Sequence, residues 1–264
     1  MNYDHYKSLL VQRDGDLLRV TLNRPEKRNA LDADAQHELG RIFIDIADDP
    51  QPRCVVLTGA GQSFSVGGDL PKMQKKIDDP DLFFQAIPNS KRIVNAILDC
   101  PKPIVCRLNG DAIGLGCTVA LLSDIVIASD EAKIGDPHVR VGLVAGDGGA
   151  LIWPQLIGFA RAKRYLLTGD LLTGKEAAAI GLITLSVPVE HLDAEVEKWA
   201  ARLAAGATTS IAGTKLAINA ALKQLAATGI DVGMAYEGLA NISADHQEAL
   251  RAFLEKRKGR FIGK

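Results

Sequence analysis

The sequence contains only four cysteines, few aromatic residues (5%) and no strong charge bias. The cysteines form no CxxC pair and no histidine stands at zinc-ligand spacing, which argues against a zinc module or a dithiol redox motif. Lysine and arginine (31) nearly balance aspartate and glutamate (32), so we expect neither a nucleic-acid nor a membrane partner. No apolar run approaches the ~18 residues of a membrane span. The polar N-terminal stretch is unlike a signal peptide, so a cytoplasmic protein is expected.

Three familiar ligand-binding motifs are present only in incomplete form. The stretch 169–176 (GDLLTGKE) has Glu176 where a phosphate-binding loop needs a hydroxyl for Mg²⁺. The stretch 61–65 (GQSFS) lacks the closing glycine of a nucleophile elbow. The glycines at 114 and 116 are not followed by the third glycine of a dinucleotide fingerprint. None of these motifs carries the function.

Strand and helix patterns alternate through the first half of the chain. Residues 17–22 follow an Asp-Gly-Asp turn and suit the second arm of a hairpin, and the apolar run 54–58 suits a buried strand. Residues 31–47 repeat at helical spacing, with Asp32 placed to cap the helix. The pattern continues with a helix at 90–98, a strand at 103–108, a glycine turn and helix at 110–122 and a strand at 124–128. This alternation predicts an α/β fold.

Beyond about residue 160 the chain is dominated by helical patterns. Three helices are predicted, at 192–205, 210–226 and 232–256. We expect an α/β core over residues 1–195 and a helical region over residues 196–264, together forming a single functional unit.

Two glycine-bearing turns each follow a predicted strand: FSVGGDL (64–70) and NGDAIGLGC (109–117). Glycine lets the backbone approach a ligand closely, and N–H groups at a helix start carry a partial positive charge. Two such turns can direct one N–H group each at a single oxygen atom, which makes an oxyanion hole. From spacing alone, two ordinary tight turns are the favoured interpretation.

A family resemblance favours the first interpretation. The segment 22–31 (LNRPEKRNAL), the two glycine turns and the tail 253–258 (FLEKRK) together resemble the enoyl-CoA hydratase/isomerase (crotonase) family. The match covers essentially the whole chain, with the motifs in order. It implies a spiral of β-β-α units with a C-terminal helical trimerisation region, an acyl-CoA thioester substrate, and assembly as a homotrimer or homohexamer.

The resemblance also implies roles for individual residues. The oxyanion hole would be the backbone N–H groups of Gly68 and Leu115. The acyl-CoA substrate would be bound by Lys27, Arg28, Ser65, Val66, Leu70, Thr118 and Lys256, the last from the same or a neighbouring subunit. A solvated surface charge is the alternative for the cationic residues among them. No cofactor and no metal ion are expected, and residues 71–89 are expected to line the acyl pocket.

The sequence departs from the family where hydratases carry two glutamates. Thr118 stands at the first position and His138 at the second. A threonine hydroxyl can hold a water molecule but cannot act as a base near neutral pH, whereas a histidine can. Asp147 follows His138 by nine residues, in a Gly-Asp-Gly context that resembles the family member 6-oxocamphor hydrolase. We therefore predict a catalytic His138–Asp147 pair.

Three functions are consistent with these residues. The first is a hydratase or isomerase that works through a thioester enolate, with His138 moving the proton or activating water. The second is a carbon–carbon bond hydrolase (retro-Claisen) acting on a β-dicarbonyl compound. The third is a CoA-binding homologue without catalytic activity, which the missing glutamates would explain.

Overall fold

The computed structural model describes the backbone of residues 1–264 and every side chain outside residues 70–72. It confirms the predicted alternation of strands and helices. The elements, in chain order, are β1 (Leu9–Asp14), β2 (Leu17–Leu22), α1 (Ala33–Asp48), β3 (Cys54–Gly59), β4 (Ser63–Ser65), α2 (Leu70–Asp78), α3 (Asp81–Asp99), β5 (Ile104–Leu108), β6 (Asp111–Ile113), α4 (Leu115–Leu121), β7 (Ile125–Ser129), β8 (Lys133–Gly135), α5 (Gly149–Thr168), β9 (Leu172–Thr173), α6 (Gly174–Ala179), β10 (Leu185–Val187), α7 (Val189–Ala204), α8 (Thr208–Asn241) and α9 (Ala244–Leu254).

The larger sheet has the strand order β1-β2-β3-β5-β7-β10. β1 and β2 form the expected antiparallel hairpin, and the remaining neighbours are parallel. The central strand β3 is buried on both faces because helices cover the sheet on either side, which explains its continuous apolar run. Asp32 caps α1 as predicted, accepting a hydrogen bond from the N–H group of Ala35 (3.1 Å). The α/β fold class is therefore confirmed.

The smaller sheet positions the functional turns. Its order is β4-β6-β8-β9, and β4, β6 and β8 run parallel to one another. Parallel neighbours end at the same edge of a sheet, where α/β proteins bind their ligands. The segments that leave this edge are the two glycine turns, after β4 and β6, and the Asp136–His138 segment, after β8. Three stretches far apart in sequence thus meet at one place.

The C-terminal helices differ from the prediction. The two helices expected at 210–226 and 232–256 are instead one 34-residue helix, α8, followed by α9. A single glycine costs a helix about 1 kcal/mol, and the packing of Ala226, Ile230 and Met234 around Gly229 offsets that cost. The chain breaks later, where Ser243 caps α9. Despite the length of α8, no helix in the described part of the chain is long and apolar enough to cross a membrane.

The division into two regions at residue 195 stays a prediction. That position falls inside α7. One face of α7, which includes Leu192, Val196 and Ala200, packs on the apolar side chains of β3, β5 and β7. The first helix of the C-terminal part, α7, is therefore packed against the sheet of the α/β core.

Candidate active site

A cavity of about 390 Å³ opens at the edge where β4, β6 and β8 end. The glycine turns and the His138 segment form one wall, while α2, α3 and α8 form the other. The described part of the expected acyl-pocket segment does line it, as helices α2 and α3. The lining residues from those two helices are Met73, Lys75, Lys76, Leu82, Phe83, Gln85, Ala86, Asn89 and Ser90.

The two glycine turns touch each other at the floor of this cavity. Gly67 has a positive φ of 78°, and a β-carbon built on it would lie 2.6 Å from the carbonyl oxygen of Ile113 and 3.5 Å from the nitrogen of Leu115. Gly68 and Leu115 both line the cavity. Among the hydrogen bonds of the described residues, neither of their N–H groups has an internal acceptor. Two free donors, one from each turn, therefore line the same cavity where the turns touch, as an oxyanion hole requires.

Ser65 and Val66, predicted to contact CoA, support the first turn from behind. Ser65 is fully buried; its hydroxyl donates to the carbonyl of Asn29 (2.8 Å) and accepts from the N–H group of Gly67 (3.2 Å). The N–H group of Val66 donates to the carbonyl of Arg28 (3.2 Å). Neither residue is among those that line the cavity. These contacts hold the turn in shape rather than offering a side chain to a ligand.

The cationic residues of the predicted CoA site lie at different places. Lys27 is half exposed, with its Nζ atom 3.7 Å from a carboxylate oxygen of Asp69, a residue of the cavity wall. Arg28 is exposed and pairs with Asp111 (2.6 Å). Lys256 is exposed after the end of α9, and no described contact brings it to the cavity. Leu70 lies outside the residues whose side chains are described.

His138 lies between two carboxylates. Its Nδ1 atom is hydrogen-bonded to Oδ1 of Asp136, and its Nε2 atom lies 3.6 Å from Oδ2 of Asp147. The ring also packs against the second glycine turn, because a β-carbon built on Gly114 would be 3.3 Å from its Cε1 atom. The structure therefore brings the predicted His138–Asp147 pair together beside Leu115. Sequence reasoning missed Asp136, although its place two residues before His138 was a usable signal.

Charge within this group favours a protonated ring. Burial lowers the pKa of His138, but the negative charges of Asp136 and Asp147 and the hydrogen bond that Asp136 accepts from the ring outweigh it and raise the pKa well above its usual range. Burial raises the pKa of Asp147 to about 6, while the charge of His138 opposes that rise. Near neutral pH the group is an imidazolium between two carboxylates. The Oδ1 atom of Asp147 has no hydrogen-bond partner among the described residues, so it is free to accept a proton.

A third carboxyl group faces the cavity from α8. Glu237 is 6% exposed, and its Oε2 atom has no hydrogen-bond partner within the described chain. Burial first, and then the charge of Asp147, raise its pKa to about 8. Lys76 lies across the cavity with its Nζ atom 5.5 Å from the Phe83 ring centroid, and burial lowers its pKa. Neither residue belongs to a recognisable motif; for Glu237 the only sequence signal was an acid within an Ala- and Leu-rich helix that carries one other acid, Asp231.

Thr118, expected near the substrate, lies deeper in the protein. It is fully buried on α4 and is not among the residues that line the cavity. Its methyl group packs against the backbone of Gly148, next to Asp147. Its hydroxyl has no hydrogen-bond partner among the described atoms. Thr118 therefore supports the Asp147 loop from behind.

Asp136, His138 and Asp147 also offer one ligand atom each within 4.8 Å of one another, an arrangement that could hold a metal ion. The sequence predicted no metal. A protonated imidazole ring between the two carboxylates already supplies the positive charge that a cation would bring. The chemistry proposed below uses these residues as acids and bases.

Comparisons with known proteins agree with this geometry. A family model described as enoyl-CoA hydratase/isomerase matches residues 12–264. Crotonyl-CoA hydratase of Syntrophomonas wolfei is 34% identical over 264 residues, covering 98% of this chain and 99% of its own length. 1,2-Epoxyphenylacetyl-CoA isomerase of Escherichia coli is 35% identical over 260 residues, covering 97% and 98%. The crystal structure of an enoyl-CoA hydratase/isomerase from Mycobacterium paratuberculosis gives a TM-score of 0.89 at 34% identity, covering 94% of this chain and 99% of that one.

Proposed function

The chain belongs to the enoyl-CoA hydratase/isomerase family, and from this premise we propose that it hydrates or isomerises an acyl-CoA thioester through an enolate. The observation that supports the proposal best is the meeting of two free N–H groups, at Gly68 and Leu115, beside the His138 group. The thioester carbonyl oxygen would accept both hydrogen bonds. Removing one such donor costs about 2.7–4 kcal/mol of transition-state stabilisation.

Asp147 is the proposed base. At neutral pH its carboxylate is ionised, and a pKa of about 6 suits proton transfer near the working pH. The His138 imidazolium, fixed by Asp136, would stabilise that carboxylate and exchange protons with it. This assignment differs from the sequence-based proposal, in which His138 itself was the base oriented by Asp147. It accounts for the absence of the two family glutamates, because other acidic groups occupy the cavity.

The CoA part of the substrate is proposed to bind at the outer rim. Lys27 and Arg28 would supply its cationic groups: Lys27 lies beside Asp69 of the cavity wall, and the backbone carbonyl of Arg28 accepts a hydrogen bond from Val66 of the first glycine turn. Ser65 and Val66 would contribute through the turn that they support. Roles for Lys256 and Leu70 stay predictions of the family resemblance, and so does the absence of a separate cofactor.

Assembly as a homotrimer or homohexamer is part of the proposal. Its support is a concentration of exposed apolar side chains on the C-terminal helices, which a monomer would leave in water. They include Ile218, Leu225, Val232, Tyr236, Leu239, Ile242, Phe253 and Leu254. A cytoplasmic location stays a prediction of the sequence.

The test is turnover of crotonyl-CoA and of a β-dicarbonyl panel by the native enzyme, His138→Ala and His191→Ala. His191 is an exposed histidine on α7 and serves as the matched control. We expect the native enzyme and the control to hydrate or isomerise a thioester and the His138 variant to lose turnover. Cleavage of a β-dicarbonyl compound without thioester turnover would instead identify a carbon–carbon bond hydrolase. Binding of butyryl-CoA with no turnover of any substrate would identify the non-catalytic homologue.

A further inference from the structure

Glu237 belongs to the face of α8 that closes the cavity. Met234, Glu237 and Asn241 recur at helical spacing, and all three line the cavity. The amide of Asn241 donates to the carbonyl of Lys76 (3.0 Å), which ties this face of α8 to α2. Glu237 is buried on this face, and one of its carboxyl oxygens has no partner in the described protein. Such burial costs stability, which indicates a role in function rather than in folding.

The backbone fixes Glu237 against the loop that carries Asp147. A β-carbon built on Gly233 would lie 2.9 Å from the Cα atom of Gly146, so α8 and the loop touch backbone to backbone. Glu237 follows Gly233 by one helical turn. A β-carbon built on Gly146 would lie only 2.8 Å from the Oε2 atom of Glu237. Because Asp147 is the next residue, the two carboxyl groups approach the cavity from neighbouring points on different elements.

Within the group of charges that act on Glu237, the signs do not balance unless one carboxyl group keeps a proton. The titratable groups that act on Glu237 are Asp136, Asp147, His138 and Lys76, which makes three carboxyl groups and two cationic groups with Glu237 included. Asp147 and Glu237 both line the cavity, and Glu237 has the higher pKa, about 8 against about 6 for Asp147. Environments that push two pKa values apart identify an acid and a base.

We propose that Glu237 is the general acid of the reaction and donates its proton to a carbon atom of the substrate, opposite in role to the base Asp147. The inference rests on the proposed thioester chemistry and deepens it. The resemblance implies two catalytic glutamates in family hydratases. In this chain their two roles would belong to Asp147, just before α5, and to Glu237, on α8.

Every proton that moves during hydration is then supplied and taken up by groups within the cavity. Asp147 takes a proton from water, and the water oxygen forms a bond to the β-carbon of the enoyl thioester. The π electrons of the double bond move to the thioester oxygen held by the Gly68 and Leu115 N–H groups. When the enolate collapses, the α-carbon takes the proton of Glu237. The proton gained by Asp147 then returns to Glu237, through His138 or water, and the enzyme is reset.

The experiment compares native enzyme, Glu237→Gln and the control Glu131→Gln, an exposed glutamate in a turn. Glutamine has the shape of a protonated glutamate, but its amide protons are far too weakly acidic to be transferred. We expect turnover to fall ~10²- to 10⁴-fold, the range for loss of a general acid, while the dissociation constant for butyryl-CoA changes little. The native rate should decline as pH rises through about 8, where Glu237 ionises, and this decline should be missing from the residual rate of Glu237→Gln.

A second measurement does not depend on the stability of the variant. In D₂O the native enzyme should place deuterium on one face of the α-carbon, because a fixed acid delivers it; the Glu237→Gln product should carry it on both faces. Full turnover by Glu237→Gln, or a native rate unaffected by pH between 7 and 9, would overturn the assignment. If the native enzyme turns over no thioester at all, it is the proposed function that fails. Glu237→Asp, which keeps a carboxyl group, should recover part of the rate.

Discussion

The imidazole of His138 is hydrogen-bonded through its Nδ1 atom to the carboxylate of Asp136, two residues earlier in the chain. β8 ends at Gly135, so the whole contact forms within the turn that leaves the sheet edge. The bond places a proton on Nδ1 and directs Nε2 towards Asp147, which lies 3.6 Å away. A local contact thereby sets the orientation and the charge of the residue at the centre of the site.

Replacing Asp136 by Asn should lower both the charge of His138 and the rate. Without the nearby carboxylate the pKa of His138 should fall towards or below its ordinary value, because burial then dominates. Turnover at pH 7 should drop ~10²-fold or more, as expected when an acid–base group loses its orientation and protonation state. NMR titration of the histidine ring and steady-state kinetics measure the two effects. Asp193→Asn, at an exposed ion pair with Arg107, is the control; an unchanged His138 pKa would disprove the role of Asp136.

Replacing Gly67 by Ala should separate the two glycine turns. The added β-carbon would meet the carbonyl of Ile113 at 2.6 Å and would force a residue with φ of 78° into strain. The N–H groups of Gly68 and Leu115 should move apart, and kcat should fall ~10²- to 10³-fold, as when one oxyanion donor is lost. Gly15→Ala carries similar backbone strain in the β1–β2 turn, where the new atom meets nothing within 4 Å. Equal kinetic effects of the two variants would mean that strain alone is responsible.

The sequence was sufficient for the parts of this site that depend on local pattern. The strand–turn–helix order around Gly68 and Leu115 could be read from apolar runs and glycines, and the structure brings both residues to one cavity. His138 was found by its departure from a family motif, and Asp147 by its spacing from His138 in a Gly-Asp-Gly context that resembles one family member. Glu237 was missed, because nothing in a helix pattern tells which face of a late helix closes a site built from residues ninety or more positions earlier. Such contacts depend on tertiary packing, here the meeting of α8 with the loop before α5.

The burial of Ser65 and Thr118 could not be predicted from the sequence either, because it too depends on tertiary packing. Ser65 lies in the first glycine turn and Thr118 directly follows the second, so the sequence favoured a ligand role for their hydroxyl groups. In the structure Gly68 and Leu115 line the cavity, whereas Ser65 and Thr118 are fully buried beside it. The hydroxyl of Ser65 is satisfied by backbone atoms of the first turn. A pattern identifies such a turn, but it does not show which side of the turn faces the ligand.

The ionisation of Asp147 should make both rate and stability depend on pH, in opposite directions. Its pKa is raised from 3.8 to about 6 by burial, so the native state holds this proton more tightly than the unfolded chain does. The free energy of unfolding should therefore decrease as pH rises from about 4 to about 6. The rate should increase over the upper part of the same range, because the base must be ionised. Asp147→Asn should lose turnover and should show a smaller decrease in stability over this range. Urea unfolding at pH 4, 5, 6 and 7 measures the difference, and parallel curves for the two proteins would contradict the raised pKa.

Two glycines one turn apart on α8 should respond oppositely to alanine. At Gly229 a β-carbon would make an ordinary contact, 3.7 Å from Leu151, so Gly229→Ala should stabilise the protein by up to about 1 kcal/mol through helix propensity. At Gly233 the same atom would lie 2.9 Å from the backbone of Gly146, which cannot move without displacing Asp147. Gly233→Ala should destabilise the protein and reduce turnover, since α8 must move away from the loop and take Glu237 with it. Thermal unfolding and kcat measured side by side test this. If Gly233→Ala keeps native turnover, the backbone contact does not position Glu237. In that case α8 forms a wall of the cavity but does not take part in catalysis through this contact.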